Sequence, residues 1–204
     1  QRQMCIRDRV GSILYSDKTC NSCRISGKTP IGVVAYVNGS TRLAINLSQG
    51  QMKWSSNYVD LDGIDNITDG NKAKADFAGK AHTAAWVAKY GAGVTGYAPG
   101  YCYNYSTAGT SKHDWYLPAL GELFPSVWTN RVAVKRGLKI AGGDKLERGH
   151  YWSSSEYSNN NAWNVNANGG VNNNNKGNAF YVRCVLAFWN KAINRVDEYA
   201  DGTL

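Results

Sequence analysis

The chain has 204 residues, of which 43% are hydrophobic, 12% aromatic and 19% charged, enough apolar mass for one folded domain or at most two small ones. No run of about 18 apolar residues occurs, which excludes a membrane-spanning helix, and the seven tryptophans and thirteen tyrosines argue against a wholly disordered chain. Of the formal charge of +8, a net +2 sits in residues 1–9 (QRQMCIRDR), which read as a non-native, adapter-derived segment, so +6 belongs to the rest.

In chain order, Ser12–Tyr15 reads as a short strand. Ile31–Val37 and Arg42–Leu47 read as two further strands joined by a hairpin at Asn38-Gly39, a dipeptide that tolerates the positive φ of a tight turn. Residues 48–71 are polar and turn-rich, an irregular connection. Ala73, Phe77, Ala81, Ala84, Ala85 and Ala88 recur at helical steps and predict a helix over Lys72–Tyr90, stopped by Gly91 and Gly93. A long loop over 91–114 precedes a helix from about Ala119 to Asn130 and another over Val132–Ala141, whose charges Arg131, Lys135, Arg136 and Lys139 read as a solvated face. Tyr151–Ser155 is a strand, and Phe180–Phe188 reads as a central core strand. Strands at both ends with helices between them predict an α+β domain whose terminal segments pair.

Cysteine leaves two readings open. Cys20-Asn-Ser-Cys23 is half of a zinc site that Cys102, Cys184 or a histidine would complete; alternatively the thiols are free, or Cys102 and Cys184 form a disulfide in an exported protein.

Between the last two strands asparagine dominates: Asn159, Asn160, Asn161, Asn164, Asn166, Asn168, Asn172, Asn173, Asn174, Asn175 and Asn178. Such clusters ordinarily form turns or solvated loops. Here they are interleaved with Trp163, Val165 and Val171, and the shared parity of Trp163 and Val165 predicts one buried face, with Asn164 and Asn166 pointing outward. Tyr151, Trp152, Ser153, Ser154, Ser155, Tyr157, Ser158 and Tyr181 stand around the segment. Tyr, Trp, Ser, Gly and Asn are the residues of recognition surfaces, in which rigid aromatics supply area and short polar groups supply adaptable hydrogen bonds.

The strings Trp115-Tyr-Leu-Pro-Ala-Leu-Gly-Glu-Leu123, Tyr151-Trp-Ser-Ser-Ser-Glu-Tyr157, Ala162-Trp-Asn-Val165 and Val182-Arg-Cys-Val-Leu-Ala-Phe188 resemble the variable proteins of diversity-generating retroelements, from about Gly11 to Phe188. The chain departs from that family at Cys184, where proline is usual, and in running on beyond the last strand. The resemblance implies a C-type-lectin-like α+β fold, in the branch akin to formylglycine-generating enzyme. Such a fold has mixed small sheets, two to three helices and long ordered loops. It implies a single domain over 10–189, a variable region at about 157–183 and a tail over 190–204. In this family a reverse transcriptase rewrites adenines in a template copy, and asparagine codons, which begin with two adenines, become codons for most other residues and never a stop. The function so implied is non-catalytic binding of a protein or glycan on a target surface. Display would be as a homotrimer, or as a monomer on a larger assembly, at a phage tail tip or on a bacterial cell surface. The expected contacts are Tyr157, Asn159, Asn160, Asn161, Trp163, Asn164, Asn166, Asn168, Asn172, Asn173, Asn174, Asn175, Asn178 and Tyr181, with Tyr157, Trp163 and Tyr181 as rigid anchors.

Three alternatives compete. A carbohydrate-binding, lectin-like adhesin is the first, but a calcium site needs carboxylates, and residues 157–196 contain no Asp or Glu. A formylglycine-generating-type enzyme needs an activated cysteine, whereas Cys184 lies in an apolar run and His82, His113 and His150 show no nucleophile–base spacing. Nucleic-acid binding would rest on Lys176 and Arg183, too few cations for phosphate neutralisation. No catalytic residue, metal ligand, cofactor, nucleic acid or membrane insertion is expected. Glu122 is read as a first-turn helix acid and Glu156 as a strand-end or loop-fixing acid.

Overall fold

The computed structural model describes residues 9–166 and 168–188. All but the last residue of the expected adapter segment, and the expected tail, lie outside the described residues.

The first third folds into strands, as its short runs around Asn38-Gly39 predict. β1 (Ile13–Tyr15) and β2 (Cys20–Asn21) precede the hairpin of β3 (Pro30–Asn38) and β4 (Thr41–Asn46), closed at Gly39 with φ +54°. The irregular connection holds one short strand, β5 (Gly50–Met52).

The helix expected over Lys72–Tyr90 is two helices, α1 (Gly70–Lys74) and α2 (Gly79–Tyr90). Asp69 caps α1 by accepting from Asn71 N and Lys72 N. The break follows from Asp76, whose Oδ1 accepts from Ala78 N and whose carbonyl accepts from Gly121 N, so the chain there serves a neighbouring element instead of continuing a helix. The expected loop over 91–114 contains α3 (Ala98–Asn104), and β6 (Trp115–Tyr116) follows it. α4 (Leu120–Phe124) widens into a π turn at Pro125–Thr129, where proline offers no N–H to the helical ladder. α5 (Arg131–Ala141) ends at Gly142 in the left-handed region. Helices are thus shorter and more numerous than the two to three expected.

β7 (His150–Glu156), β8 (Asn161–Asn166) and β9 (Val171–Asn175) make an antiparallel run, so the asparagine segment is largely strand. The single strand expected over Phe180–Phe188 is instead β10 (Phe180–Val182) and β11 (Val185–Ala187), which belong to different sheets.

Among the described residues the strands form two sheets, ordered β2-β1-β3-β4-β11-β6 and β5-β10-β7-β8-β9. β10 runs parallel to β7, and the other pairs are antiparallel. β11 lies against β4, which joins the last segment of the fold to the first. One core gathers Trp54, Trp86, Trp115, Leu117, Trp152 and Val182; a second gathers Ile13, Val33, Ile45, Leu120, Leu123, Val134, Leu138, Trp163 and Val185. Trp115, Leu117, Leu120, Leu123, Trp152, Val182, Val185 and Leu186 are all buried. Trp128 is half-buried.

Arg183 and Cys184 form the joint between the sheets. Cys184 is disulfide-bonded to Cys102, so of the alternatives for these thiols the disulfide is the one formed. It takes two of the sulfurs that a zinc site with Cys20 and Cys23 would have used. The Arg183 guanidinium donates to the carbonyls of Asn46, Leu47, Ser48, Asp144 and Lys145 and to Gln49 Oε1. A planar five-donor group satisfies that many acceptors where a lysine would not.

Candidate recognition surface

The register of β7, β8 and β9 sorts the asparagines. Trp163 and Val165 of β8 lie opposite Asn173 and Val171 of β9, on the face that Tyr151 shares. That face is packed. Trp163 is buried, donates Nε1–H to Ile67 O at 2.7 Å and meets the half-buried Tyr157 edge-on at 5.4 Å. Tyr181 is half-buried beside Tyr151, ring centroids 5.4 Å apart. Trp163 therefore anchors the strand to the interior. Asn161 Nδ2 donates to Asn173 Oδ1 at 2.9 Å, a cross-strand pair on this same side.

The other face carries Ala162, Asn164 and Asn166 with Asn172 and Asn174, beside Trp152 and His150. The expectation that Asn164 points to solvent is corrected: its exposure is 0%. Its Oδ1 faces His150 Nδ1 at 2.8 Å and its Nδ2 donates to Asn174 Oδ1 at 2.9 Å. His150 stacks on Phe180 at 4.7 Å, and Phe180 in turn meets Trp152 at 4.5 Å. The row Phe180, His150, Asn164, Asn174 is an aromatic and amide ledge in which each ring or amide positions the next. Alternation failed at Asn164 because β8 is an inner strand, covered on both faces, where period two no longer separates buried from exposed.

The turns use asparagine differently. Asn166 is also not simply outward: it is half-buried, and its Oδ1 accepts from Asn168 N and Gly170 N, closing the β8–β9 turn around Gly169 with φ +78°. Asn175 Oδ1 accepts from Gly177 N. Asn159, Asn160, Asn168, Asn175 and Asn178 are exposed, and Asn172, Asn173 and Asn174 are half-buried. The fourteen expected contacts therefore do not form one patch. Asn159, Asn160 and Asn175 stand at one end of the strands, Asn168 stands at the other, and Trp163 and Tyr181 face inward.

Sequence reading missed Tyr58, His150 and Phe180. Tyr58 is 45% exposed and its hydroxyl lies against Gly177, so it belongs to the end that carries Asn159 and Asn160. Its position in an irregular connection gave no signal. His150 and Phe180 share the Trp152 face, and strand parity counted back from Trp152 and Val182 would have placed them there.

Lys176 and Arg183 are both fully buried, so neither reaches solvent. Lys176 donates to Glu156 Oε1 and to Val59 O beneath the Trp54 ring, and Glu156 Oε2 accepts from Leu61 N. Burial pushes the lysine's pKa down, while the Glu156 carboxylate opposes the shift. Glu156 fills both of the roles expected for it: it ends β7, and it ties 59–61 to the strands.

Behind β7 lies a polar cluster of Asp76, His82, Tyr116, Glu122, Ser154 and Ser155. His82 Nδ1 is 3.3 Å from Ser154 Oγ and 3.7 Å from Asp76 Oδ2. Both partners meet the same ring nitrogen, so the serine–imidazole–carboxylate order across two nitrogens that a relay needs is not formed. Ser155 Oγ donates to Asp76 Oδ2 and accepts from Leu120 N. Glu122, in the first turn of α4 as expected, accepts from Ala119 N and from the Tyr116 hydroxyl. Burial raises its pKa to about 7. Among the described residues, no three His, Cys, Asp or Glu side chains gather as metal ligands.

No family model matches the chain, and no curated protein matches it. Among solved structures it is similar to a fimbrial protein from Bacteroides ovatus ATCC 8483, with a TM-score of 0.67 at 18% identity over 89% of this chain and 49% of that one. The chain thus spans about half the length of that fimbrial protein, and the likeness is one of fold.

Proposed function

We propose that this chain is a non-catalytic, calcium-independent recognition domain of a bacterial surface protein, built on a C-type-lectin-like frame and diversified by a retroelement. The surface location draws on the fold shared with a fimbrial protein and on the Cys102–Cys184 disulfide, a bond of oxidising compartments. The observation that carries the reading is the division of labour within the asparagine segment. Exposed amides at Asn159, Asn160, Asn168 and Asn178 hang from strands whose own side chains are buried or paired. Replaceable contacts on a fixed support are what a diversified surface requires, and a pre-ordered support limits the entropy lost on binding.

The test is the DNA beside the gene. A near-repeat of the segment encoding 157–183, differing only at adenines and lying beside a reverse-transcriptase gene, is the expected finding. Its absence contradicts diversification and leaves the lectin-like adhesin reading, which the His150–Phe180 ledge with its amides favours.

A further inference from the structure

We infer that the cleft between α5 and the β8–β9 turn binds an anionic saccharide, one bearing carboxylate or sulfate groups. The inference rests on the recognition reading above, since Asn166 and Asn168 form one wall. The cleft is about 380 Å³, against about 30 Å³ for a water in the liquid, and so is of ligand size. Val127, Leu146 and Tyr151, all nearly buried, line its floor.

Three cations converge on it: Arg131, Lys135 and Arg148. Among the described residues neither Lys135 nor Arg148 makes an ion pair or a side-chain hydrogen bond. The acid in the lining, Glu147, is already 3.1 Å from Lys145 Nζ. Arg131 is oriented from within: its guanidinium lies 3.9 Å over the Trp128 ring and Nη1 donates to Trp128 O. Its remaining N–H groups stay available to an acceptor. The opposite wall is equally fixed, because a Cβ on Gly169 would stand 2.0 Å from Trp128 Cε2, so only glycine lets the turn pack on the indole. Unneutralised like charges held together on a rigid cleft favour an anion. The apolar floor and the two amides favour a sugar that carries the anion over a bare oxyanion.

Titration calorimetry of the chain with a heparin-derived tetrasaccharide, an oligogalacturonate, neutral maltotetraose and a glutamate oligopeptide tests this. At least one anionic saccharide is expected to bind and maltotetraose is not. Lys135→Glu with Arg148→Glu, both exposed sites, should weaken that binding about tenfold or more with an unchanged near-UV spectrum. Asn172→Ser should leave it within about twofold, since that side chain is not part of the cleft lining. Failure of both anionic saccharides, indifference to the double variant, or equal binding of the peptide overturns the inference. If the cleft fails while libraries at Asn159 and Asn160 still yield binders, the recognition reading survives alone; if the cleft binds and those libraries yield none, it is diversification that falls.

Discussion

Asn164 and Glu122 are buried polar side chains whose partners define what each does. Asn164→Ala would strip His150 Nδ1 and Asn174 Oδ1 of a partner that is itself fully buried. We expect a loss of about 1–3 kcal/mol in denaturant unfolding, against about 0.5 kcal/mol or less for Asn168→Ala on the exposed turn. Glu122 gives a pH signature. Its folded pKa is raised from 4.5 to about 7, so its contribution is complete below pH 4.5 and fades as pH climbs to about 7. The effect is at most about 3 kcal/mol. His82 acts in the opposite sense: burial lowers its pKa from 6.5, so its share is lost as pH falls below that value. Chemical unfolding at intervals from pH 5 to 8 should show stability rising more with pH, or falling less, in Glu122→Gln than in the parent. Identical profiles would mean that the carboxyl is ionised throughout.

Two joints decide how elements are cut and joined. The apolar run 180–188 was legible as β structure, but its break was not. Arg183 turns away to collect five carbonyls and Cys184 turns to Cys102, and those partners lie 38 or more positions away in sequence. Likewise the alanine stripe over 73–88 was legible as helix, while the break at Asp76 depends on Gly121. Replacing the disulfide, which closes a separation of 82 residues, by Cys102→Ser with Cys184→Ser should lower stability by about 2–5 kcal/mol, read as a fall in melting temperature. At a separate tie, Lys176→Met strands the buried Glu156 charge and should remove about 3–5 kcal/mol, whereas Lys176→Met with Glu156→Leu should recover much of it.

At the scale of the whole molecule, the α+β class was readable from the short strand runs at both ends and the helical spacing between them. The sheet order was not readable, because β11 and β10 reach strands more than a hundred residues earlier. Nor was the sorting of the asparagines, which depends on which strand is covered on both faces. The resulting account is of two sheets and two cores locked at Arg183 and Cys184, with replaceable amides at the strand ends and indispensable ones between them. Two display libraries test it directly. One randomises Asn159, Asn160, Asn168 and Asn178, the other Asn161, Asn164 and Asn166, and each is scored for survival under protease. The account predicts that most members of the first library survive like the parent and that most of the second do not. Equal survival of the two would contradict it.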